Sequence, residues 1–266
     1  MVFRKDPCGI TCLVITYGCV LYCDYCIIDH VILPTFSSSL WGAFHATMFN
    51  SFLFLLAYSH LKASFCDPGV VPLPYARLDF SDIQKAKKKK PRKAESEWGV
   101  CSKCEAYKPP RAHHCRICNR CIKKMDHHCP WINNCVGEQN QKFFILFLFY
   151  TGISSIYGLS LGVFSLFKRC HDCTDKYEIG TRIFHVVILL VVCSLFSLFV
   201  LCIMYDQIYS IYNDITLIEQ VQKEERQNSK PKMALLMEIF GRGPKILWLL
   251  PCSNPRQTTH TTDYSV

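Results

Sequence analysis

Four long apolar segments constrain the fold of this chain more than any other feature of its sequence. They lie near residues 10–33, 40–61, 143–167 and 183–205, and each approaches the roughly 20 residues that a helix needs to cross a hydrocarbon core of about 30 Å. Half of the 266 residues are hydrophobic, and the mean hydropathy is positive. The first and third segments also contain small and hydroxyl-bearing residues, which favour close helix packing in a bilayer. The sequence therefore predicts an α-helical polytopic membrane protein with a bundle of four transmembrane helices.

Basic residues predict the orientation of this bundle. Of the 30 lysines and arginines, 26 fall in residues 1–9, 62–142 and 206–266. The turn over 34–39 has none, and the loop over 168–182 has four. Cytoplasmic loops of membrane proteins carry the excess of positive charge. We therefore expect both termini and the long middle loop to be cytoplasmic.

The chain divides into five parts. Residues 1–66 hold the N-terminal tail and the first two helices, 67–97 a basic linker, 98–142 a small cysteine-rich domain between helices 2 and 3, 143–205 the last two helices, and 206–266 the C-terminal region. The linker begins with Asp67-Pro68-Gly69 and includes a lysine run over 87–93. That run fits either a solvated linker or a contact with anionic lipid.

The C-terminal region contains one apolar pattern of helical spacing. Four residues there fall at i, i+3, i+4 and i+7, namely Met233, Leu236, Met237 and Phe240. Such spacing predicts an amphipathic helix whose apolar face lies on the membrane or packs on the cysteine-rich domain.

The cysteine-rich domain carries the residues of greatest chemical interest. Seven cysteines and four histidines lie between positions 101 and 135, and two Cys-x2-Cys pairs begin at 101 and 115. The first apolar segment is too long for a cleavable signal peptide, so this mixture favours metal binding over a secreted disulfide scaffold. Each pair places two thiolates on one ion at tetrahedral angles, which predicts zinc. Two closed tetrahedral sites need eight ligands, and eleven candidates are present, so three must be left over.

The count alone does not say which three residues remain, and spare residues of a zinc module can be mere polar surface. Asp126, His127 and Cys129 favour a functional role, because one short run supplies an orienting carboxylate, a base and a thiol. Nearby cations, zinc among them, would favour the thiolate. The domain therefore predicts an activated cysteine nucleophile beside two metal sites.

The run Asp126-His127-His128-Cys129, followed by Pro130-Trp131 and set in this cysteine spacing, resembles the DHHC family of protein S-acyltransferases. Nearly the whole chain shares the resemblance, including the Asp-Pro-Gly motif at 67–69 and the sequence Asn-Asn-Cys-Val-Gly at 133–137. Within the family, the chain is most similar to the subgroup often found in the Golgi. Residues 216–220 read Thr-Leu-Ile-Glu-Gln where many relatives have Thr-Thr-x-Glu, so Leu217 lacks the hydroxyl expected at that position.

The resemblance implies a role for each residue of the domain. Cys129 would take the acyl group, His127 would be its general base, and Asp126 would orient and polarise His127. Two structural zinc ions would be held by interleaved ligand sets, one by Cys101, Cys104, His114 and Cys121, and the other by Cys115, Cys118, His128 and Cys135. The resemblance also implies acyl-CoA as co-substrate and two steps. Cys129 would first attack the thioester of acyl-CoA, and a cysteine of a protein substrate would then remove the acyl chain.

The helix after the cysteine-rich domain offers a place for that acyl chain. Trp131, Phe144, Phe147 and Ser154 could line a cavity that opens toward the reactive sulfur. At about 1.5 Å rise per residue, Ser154 lies roughly 15 Å deeper in the membrane than Phe144. The alternative is that these side chains only pack helices against one another. We expect the small side chain of Ser154 to leave the cavity deep enough for chains longer than palmitoyl.

The partners implied by this interpretation are acyl-CoA, membrane lipid and membrane-associated protein substrates with cytoplasmic cysteines, and the expected location is the Golgi membrane. A membrane-anchored zinc adaptor without activity would explain the helices and zinc ligands but not the spare Asp126, His127 and Cys129. The net charge of +9 raises nucleic acid as a partner, but none is expected, because the chain has no candidate recognition helix. The sequence leaves open a homo-oligomer and a carboxylate-binding domain that captures Tyr264-Ser265-Val266.

Overall fold

Four long helical stretches form the body of the protein. The computed structural model describes residues 6–36, 39–73, 98–168, 176–223 and 230–252. The helices of the bundle are α1 (Pro7–Tyr25), which continues through a π-helical segment (Cys26–Ile32) into α2 (Leu33–Phe36), then α3 (Leu40–Phe65), α4 (Gln141–Phe167) and α5 (Lys176–Asn213). The lysine run over 87–93 and the C-terminal Tyr264-Ser265-Val266 lie outside the described residues.

The predicted count of four membrane-crossing helices is confirmed. Within the described ranges, four stretches are long and apolar enough to cross a membrane, over Pro7–Phe36, Leu40–Phe65, Gln141–Phe167 and Glu178–Asn213. The last stretch continues past residue 205, where the apolar sequence pattern ends. Large apolar side chains such as Phe184 and Leu195 are more than 60% exposed, which suits a surface that faces lipid. α4 packs against both α3 and α5 and forms the centre of the bundle.

Local signals explain where these helices begin and end. Asp6 caps α1, since its carboxylate accepts a hydrogen bond from the N–H of Gly9 at 3.0 Å, and Pro7 occupies the first turn. Ser39 caps α3 in the same way, through the N–H of Trp41 at 3.2 Å. α3 ends just before the Asp-Pro-Gly motif, because the residue before a proline is biased away from the helical conformation.

The Asp-Pro-Gly motif turns the chain from α3 into the cysteine-rich domain. The carboxylate of Asp67 accepts hydrogen bonds of 2.8 Å from the N–H groups of Gly69 and Val70. Gly69 has a φ of 102°, a conformation that favours glycine. Its carbonyl accepts a 2.8 Å hydrogen bond from the N–H of Lys123. The motif therefore fastens the end of α3 to the domain that follows the linker.

The cysteine-rich domain consists of three antiparallel hairpins. They pair β1 (Gly99–Cys101) with β2 (Ala106–Lys108), β3 (His113–Cys115) with β4 (Arg120–Ile122), and β5 (His127–Cys129) with β6 (Asn134–Val136). A short 3₁₀ turn (Pro130–Ile132) joins the last two strands. Glu105 and Asn119, which follow the second cysteine of each Cys-x2-Cys pair, adopt positive φ angles of 49° and 51°. These tight turns bring the cysteines of each pair to one side of the hairpin.

In the described part of the C-terminal region, two short helices and a final 3₁₀ turn follow α5, namely α6 (Leu217–Val221), α7 (Lys232–Phe240) and Lys245–Trp248. The predicted amphipathic helix exists as α7, and Leu236 and Phe240 of its predicted apolar face pack against the bundle, but two residues outside the predicted set are buried more deeply. Leu235 and Ile239 are the buried residues of α7, whereas Met233 is 42% exposed. Leu235 and Ile239 pack with Ile145 of α4 and Ile211 of α5. The helix therefore packs against the ends of the transmembrane helices, and this contact rotates its buried face.

Candidate active site

Two clusters of metal-ligating side chains lie in the cysteine-rich domain. Each cluster combines three cysteines and one histidine whose ligand atoms all lie within 4.8 Å of one another. The two clusters are Cys101, Cys104, His114 and Cys121, and Cys115, Cys118, His128 and Cys135. The structure thus brings together the same interleaved sets that the family resemblance implies.

The distances in both clusters suit a tetrahedral ion. Cys104 Sγ lies 3.2 Å from His114 Nδ1 and 3.8 Å from Cys121 Sγ. In the second cluster, the three sulfurs lie 3.4 to 3.7 Å from His128 Nδ1. A tetrahedral ion with Zn–S bonds of about 2.3 Å and Zn–N bonds of about 2.0 Å sets its ligand atoms roughly 3.5 to 3.8 Å apart. The donor set of three sulfurs and one imidazole nitrogen fits a closed site with no open position for substrate.

The second cluster fixes the strand that carries His127 and Cys129. His128 lies in β5, and Cys135 is its register partner in β6. Because successive side chains of a strand point to opposite faces, His127 and Cys129 face away from the side on which His128 meets the metal cluster. Both of these side chains line a cavity between the transmembrane helices. The geometry of the strand thus places the metal ligand His128 on one face and the side chains of His127 and Cys129 on the other.

His127 is held by a buried carboxylate. Its Nδ1 lies 2.7 Å from Asp126 Oδ2, and only 2% of Asp126 is exposed. Burial alone would lower the pKa of His127, but hydrogen bonds with Asp126 and Cys129 raise it to about 9. The imidazole is therefore able to accept and keep a proton beside the sulfur of Cys129.

Two further groups hold the carboxylate of Asp126. Gln207 of α5 donates from Nε2 to Oδ2 at 2.8 Å, and the backbone N–H of Leu217 donates to Oδ1 at 2.8 Å. Burial alone would raise the pKa of Asp126, but the hydrogen bonds from His127, Leu217 and Gln207 hold it below its usual range. Sequence reasoning missed Gln207, although a glutamine at the end of an apolar helix is a recognisable functional signal.

The contact at Leu217 answers the question raised by its missing hydroxyl. The group that reaches Asp126 is the backbone N–H of residue 217, while the leucine side chain is 40% exposed. Thr216 caps α6 in a capping box with Glu219, and this fixes the direction of the neighbouring N–H. The contact to the carboxylate at this position therefore does not depend on the side chain.

A clasp of charged residues holds α6 against the cysteine-rich domain. The guanidinium of Arg111 donates to both carboxylate oxygens of Glu219, at 2.6 and 2.8 Å, and to Asp214 at 2.9 Å. Lys124 lies 3.1 Å from Asp214. Burial would raise the pKa of Asp214, but the charge of Lys124 and the hydrogen bond from Arg111 lower it to about 2. The clasp thus connects the C-terminal region to the strand pair beside the reactive residues.

Asparagine side chains fasten the pair of β5 and β6 to α3. Asn134 Nδ2 donates to the carbonyls of Ala63, Ser64 and Cys66, at 3.0 to 3.2 Å, at the end of that helix. Asn140 Nδ2 also reaches the carbonyl of Ala63, at 3.1 Å. These contacts satisfy the last carbonyls of the helix, which have no partner within it. The reactive strand therefore lies at a fixed height on the bundle.

The cavity below Cys129 is large and almost entirely apolar. It encloses about 860 Å³, including its open mouth, between α1, α3, α4 and α5. Trp131, Phe144, Phe147 and Ser154, which the sequence singled out, all line it. So do residues of α1 and α5 that sequence reasoning missed, among them Thr16 and Cys193. The lining residues follow one another along these helices, so the cavity extends from Cys129 toward the middle of the bundle.

Comparison with known proteins identifies the family. A family model described as DHHC palmitoyltransferase matches residues 94–224. Palmitoyltransferase ZDHHC3 of Homo sapiens is 36% identical over 261 residues, which cover 97% of this chain and 85% of that protein. The chain belongs to the DHHC palmitoyltransferase family.

Other DHHC relatives match over most of their length. Palmitoyltransferase ZDHHC7 of Rattus norvegicus is 36% identical over 258 residues, which cover 94% of this chain and 80% of that protein. Probable protein S-acyltransferase 12 of Arabidopsis thaliana is 34% identical over 208 residues, 77% of this chain and 71% of that protein. This DHHC protein is therefore a membrane-embedded protein-cysteine S-palmitoyltransferase.

Proposed function

We propose that this enzyme moves palmitoyl or a similar long acyl chain from acyl-CoA to protein cysteines through an acyl-enzyme at Cys129. The observation that carries the proposal is the position of Cys129, which meets the Asp126–His127 pair on one side and an apolar cavity on the other. A thiol in this position can react with a thioester whose hydrocarbon chain lies in the membrane.

In the first step, His127 takes the proton of Cys129, and the sulfur attacks the thioester carbonyl of acyl-CoA. The raised pKa of His127 supports its role as the base, and Asp126 stabilises the imidazolium that forms. The S–C bond to CoA breaks, and the CoA thiolate takes the proton from His127. The acyl chain is then attached to Cys129 and extends into the cavity.

In the second step, a cysteine of the protein substrate attacks the acyl-enzyme. His127 accepts the proton of that thiol, the S–C bond to Cys129 breaks, and His127 gives the proton to the sulfur of Cys129. Since one thioester replaces another in both steps, the enzyme mainly has to position its substrates and supply a thiolate. We expect ping-pong kinetics.

Zinc is the metal that we assign to both Cys/His clusters. The spacing of their sulfur and nitrogen atoms supports this assignment, and each set of four protein ligands closes its site. When bound, zinc supplies structural stability to the three hairpins. His128 and Cys135 then fix the strands on both sides of the reactive residues, which is a positioning role.

The cavity supports the acyl-binding role of Trp131, Phe144, Phe147 and Ser154. Phe144 lies beside His127 at the mouth, with their ring centroids 5.3 Å apart. Ser154 is ten residues further along α4, or roughly 15 Å deeper at the rise of an α-helix. We propose that the end of a long acyl chain lies there, and that the small serine admits chains longer than palmitoyl.

We further propose the Golgi membrane as the location, with both termini and the cysteine-rich domain in the cytoplasm. The distribution of lysine and arginine supports the orientation. Membrane-associated proteins with cytoplasmic cysteines are then the substrates, because their thiols can reach Cys129. We also propose that the chain consists of the five parts predicted from the sequence, with boundaries after residues 66, 97, 142 and 205.

The test is to offer labelled palmitoyl-CoA to the purified wild-type enzyme and to the Cys129→Ser variant in detergent. We expect a hydroxylamine-sensitive label on the wild type, and on the peptide that contains Cys129. The variant should lose the label at that peptide while it keeps its metal content. Equal labelling of the peptide that contains position 129 in the wild type and in the variant would support a membrane-anchored adaptor instead. A hydroxylamine-resistant label would do the same.

A further inference from the structure

A second apolar cavity lies on the other side of α4 from the active site. It has a volume of about 630 Å³, including its open mouth, between α4, α5, α7 and the segment that follows α7. Among the residues described, it shares no lining residue with the cavity of Cys129. Phe144 and Phe147 of α4 face the active site, whereas Ile145 and Phe149 face this second cavity. α4 therefore separates two cavities, both of which have an apolar lining.

The lining of the second cavity suits a hydrocarbon chain. Ile145, Ile208, Ile211 and Leu236 are among the residues that line it, and nearly all of its inner surface is apolar. Such a site has few polar groups that could orient a polar ligand. The acyl chain of a lipid or of a lipid modification is the ligand class that fits.

An exposed thiol, that of Cys252, lies three residues beyond Leu249, which lines this cavity. Lys142, Ile145 and Phe149 fall at i, i+3 and i+7, so Lys142 marks the end of the stripe of α4 that lines the cavity. The ammonium of Lys142 donates a hydrogen bond to the carbonyl of Leu247 at 3.4 Å, so this end of the stripe contacts the segment that carries Cys252. Cys252 itself is exposed and forms no disulfide.

The chain is also anchored at the cavity just before this cysteine. Leu249 lines the cavity, and its carbonyl accepts a 2.6 Å hydrogen bond from the hydroxyl of Tyr150. Three residues span at most about 10 Å, so Cys252 stays close to the lining. A chain attached to its sulfur has a short path into the apolar space.

We propose that Cys252 is a site of S-acylation and that its acyl chain occupies the second cavity. This inference rests on the proposed acyl-enzyme at Cys129, which supplies the donor. The modification fastens the segment after α7 to α4 and α5, on the side of the bundle opposite the catalytic cavity.

The acyl chain is transferred to Cys252 by the same chemistry as to a cysteine of a protein substrate. The sulfur of Cys252 attacks the acyl carbonyl on Cys129, a new S–C bond forms, and the S–C bond to Cys129 breaks. The proton of the Cys252 thiol ends on the thiol of Cys129, so atoms and charge balance. Because α4 lies between the two cavities, the donor is the acyl-enzyme of a second copy of this chain.

The experiment uses the full-length enzyme and an alkyne analogue of palmitoyl-CoA, with the label assigned to individual peptides by mass spectrometry. The wild type should carry label at both Cys129 and Cys252. Cys252→Ser should lose only the second label, and Cys202→Ser, which removes an exposed cysteine of α5, should keep both. The Cys129→Ser variant should gain label at Cys252 only when wild-type enzyme is added.

Three outcomes would overturn the inference. Label at Cys129 without label at Cys252 would reject it and leave the proposed function intact. Equal label at Cys252 in the Cys129→Ser variant, with or without wild-type enzyme, would reject the transfer between copies. No label at Cys129 in the wild type would reject the proposed function, and with it the acyl donor.

A cavity-filling variant tests where the chain lies. Ile208 lines the second cavity and is 43% exposed, so Ile208→Trp can fill the space from its open side. Hydroxylamine should release the acyl group from Cys252 several-fold faster in this variant than in the wild type, because the thioester is no longer held at the protein. Acylation of Cys129 should be unchanged, which shows that the variant is folded. Equal release rates would place the chain outside the cavity and leave the space to another lipid.

Discussion

Arg111 of the cysteine-rich domain grips both carboxylate oxygens of Glu219, which lies 108 residues later, with N–O distances of 2.6 and 2.8 Å. A planar guanidinium and a carboxylate make two parallel hydrogen bonds only in one relative orientation. The pair therefore fixes α6 against the domain and aims the N–H of Leu217 at Asp126. The geometry of the reactive residues depends on a segment that lies beyond the last transmembrane helix.

Replacement of Arg111 by alanine should lower the rate of Cys129 acylation about tenfold or more. The reason is that removal of one partner from a largely buried ion pair leaves the other charge unpaired, which costs about 3–5 kcal/mol in well-buried cases. Arg111→Lys should recover only part of the rate, because an ammonium cannot form the two-pronged contact. Arg116→Ala, an exposed arginine of the same domain, is the matched control. Wild-type rates in Arg111→Ala would mean that the clasp does not position Asp126.

A substitution at Leu217 can remove the hydrogen bond from its backbone N–H to Asp126 without loss of α6. Leu217 is the first residue of α6, and proline is well tolerated at that position. Thr216 already has the extended conformation that a following proline requires, with φ −80° and ψ 161°. Leu217→Pro should therefore slow acylation of Cys129 roughly tenfold, since a hydrogen bond to a charged group contributes about 1.5–3 kcal/mol.

The control for this change is Leu217→Thr, which restores the residue that many relatives have. It should leave the acylation rate close to that of the wild type, because the N–H is unchanged and the side chain is largely exposed. Single-turnover labelling of Cys129 measures both variants. A large effect of Leu217→Thr together with none of Leu217→Pro would show that the side chain, and not the backbone, acts here.

Gln207 should affect the acylation rate because it stabilises the charged carboxylate of Asp126. Gln207→Ala removes one hydrogen bond to Asp126, and we expect roughly a tenfold loss of acylation rate. Gln207→Glu keeps the shape but places a second carboxylate against a buried one, so the loss should be larger. The comparison of these two variants in single-turnover labelling is the measurement. Equal activity of Gln207→Glu and the wild type would contradict the role of this contact.

The two metal clusters should differ in their effect on catalysis. Cys104→Ser disrupts the first cluster, and Cys118→Ser disrupts the second. Each variant should lose about one of two zinc ions by elemental analysis, since a structural site seldom survives the loss of a thiolate. Cys118→Ser should abolish acylation, because its cluster includes His128 and Cys135 on the reactive strand pair. Cys104→Ser should retain more activity, and equal inactivation of both would show that the domain folds as one unit.

The side chain at position 154 should set the longest acyl chain that the enzyme accepts. Ser154→Phe fills the deep part of the cavity, so we expect stearoyl-CoA to lose roughly tenfold or more relative to myristoyl-CoA, at about 1–3 kcal/mol per poorly accommodated methylene. Ser160→Phe adds the same ring at an exposed position of α4 and should leave the preference unchanged. Competition between acyl-CoAs of different length measures the effect. An unchanged preference in Ser154→Phe would place the chain elsewhere.

The metal-ligating clusters and the proposed catalytic residues could be predicted from the sequence because their signals are local. Two Cys-x2-Cys pairs and the run at 126–129 lie within 35 residues, and the alternation of a strand sends neighbouring histidines to opposite faces. The residues that support Asp126 were not found, because Gln207 and Leu217 lie 81 and 91 residues away along the chain. The two most deeply buried residues of α7, Leu235 and Ile239, were not predicted for a related reason. Spacing predicts a helix, but the neighbours Ile145 and Ile211 decide which side is buried.

The sequence by itself predicted the four membrane-crossing helices, the two Cys/His clusters that go with a recognised family, and the thiol that we propose as the nucleophile. Hydrophobic length and ligand spacing encode these features within short stretches of chain. The tertiary structure decided which distant groups surround the carboxylate of Asp126, where the apolar cavity runs, and that a second cavity lies across α4. Contacts between remote segments depend on the mutual packing of rigid helices, and no local pattern in the chain specifies that packing.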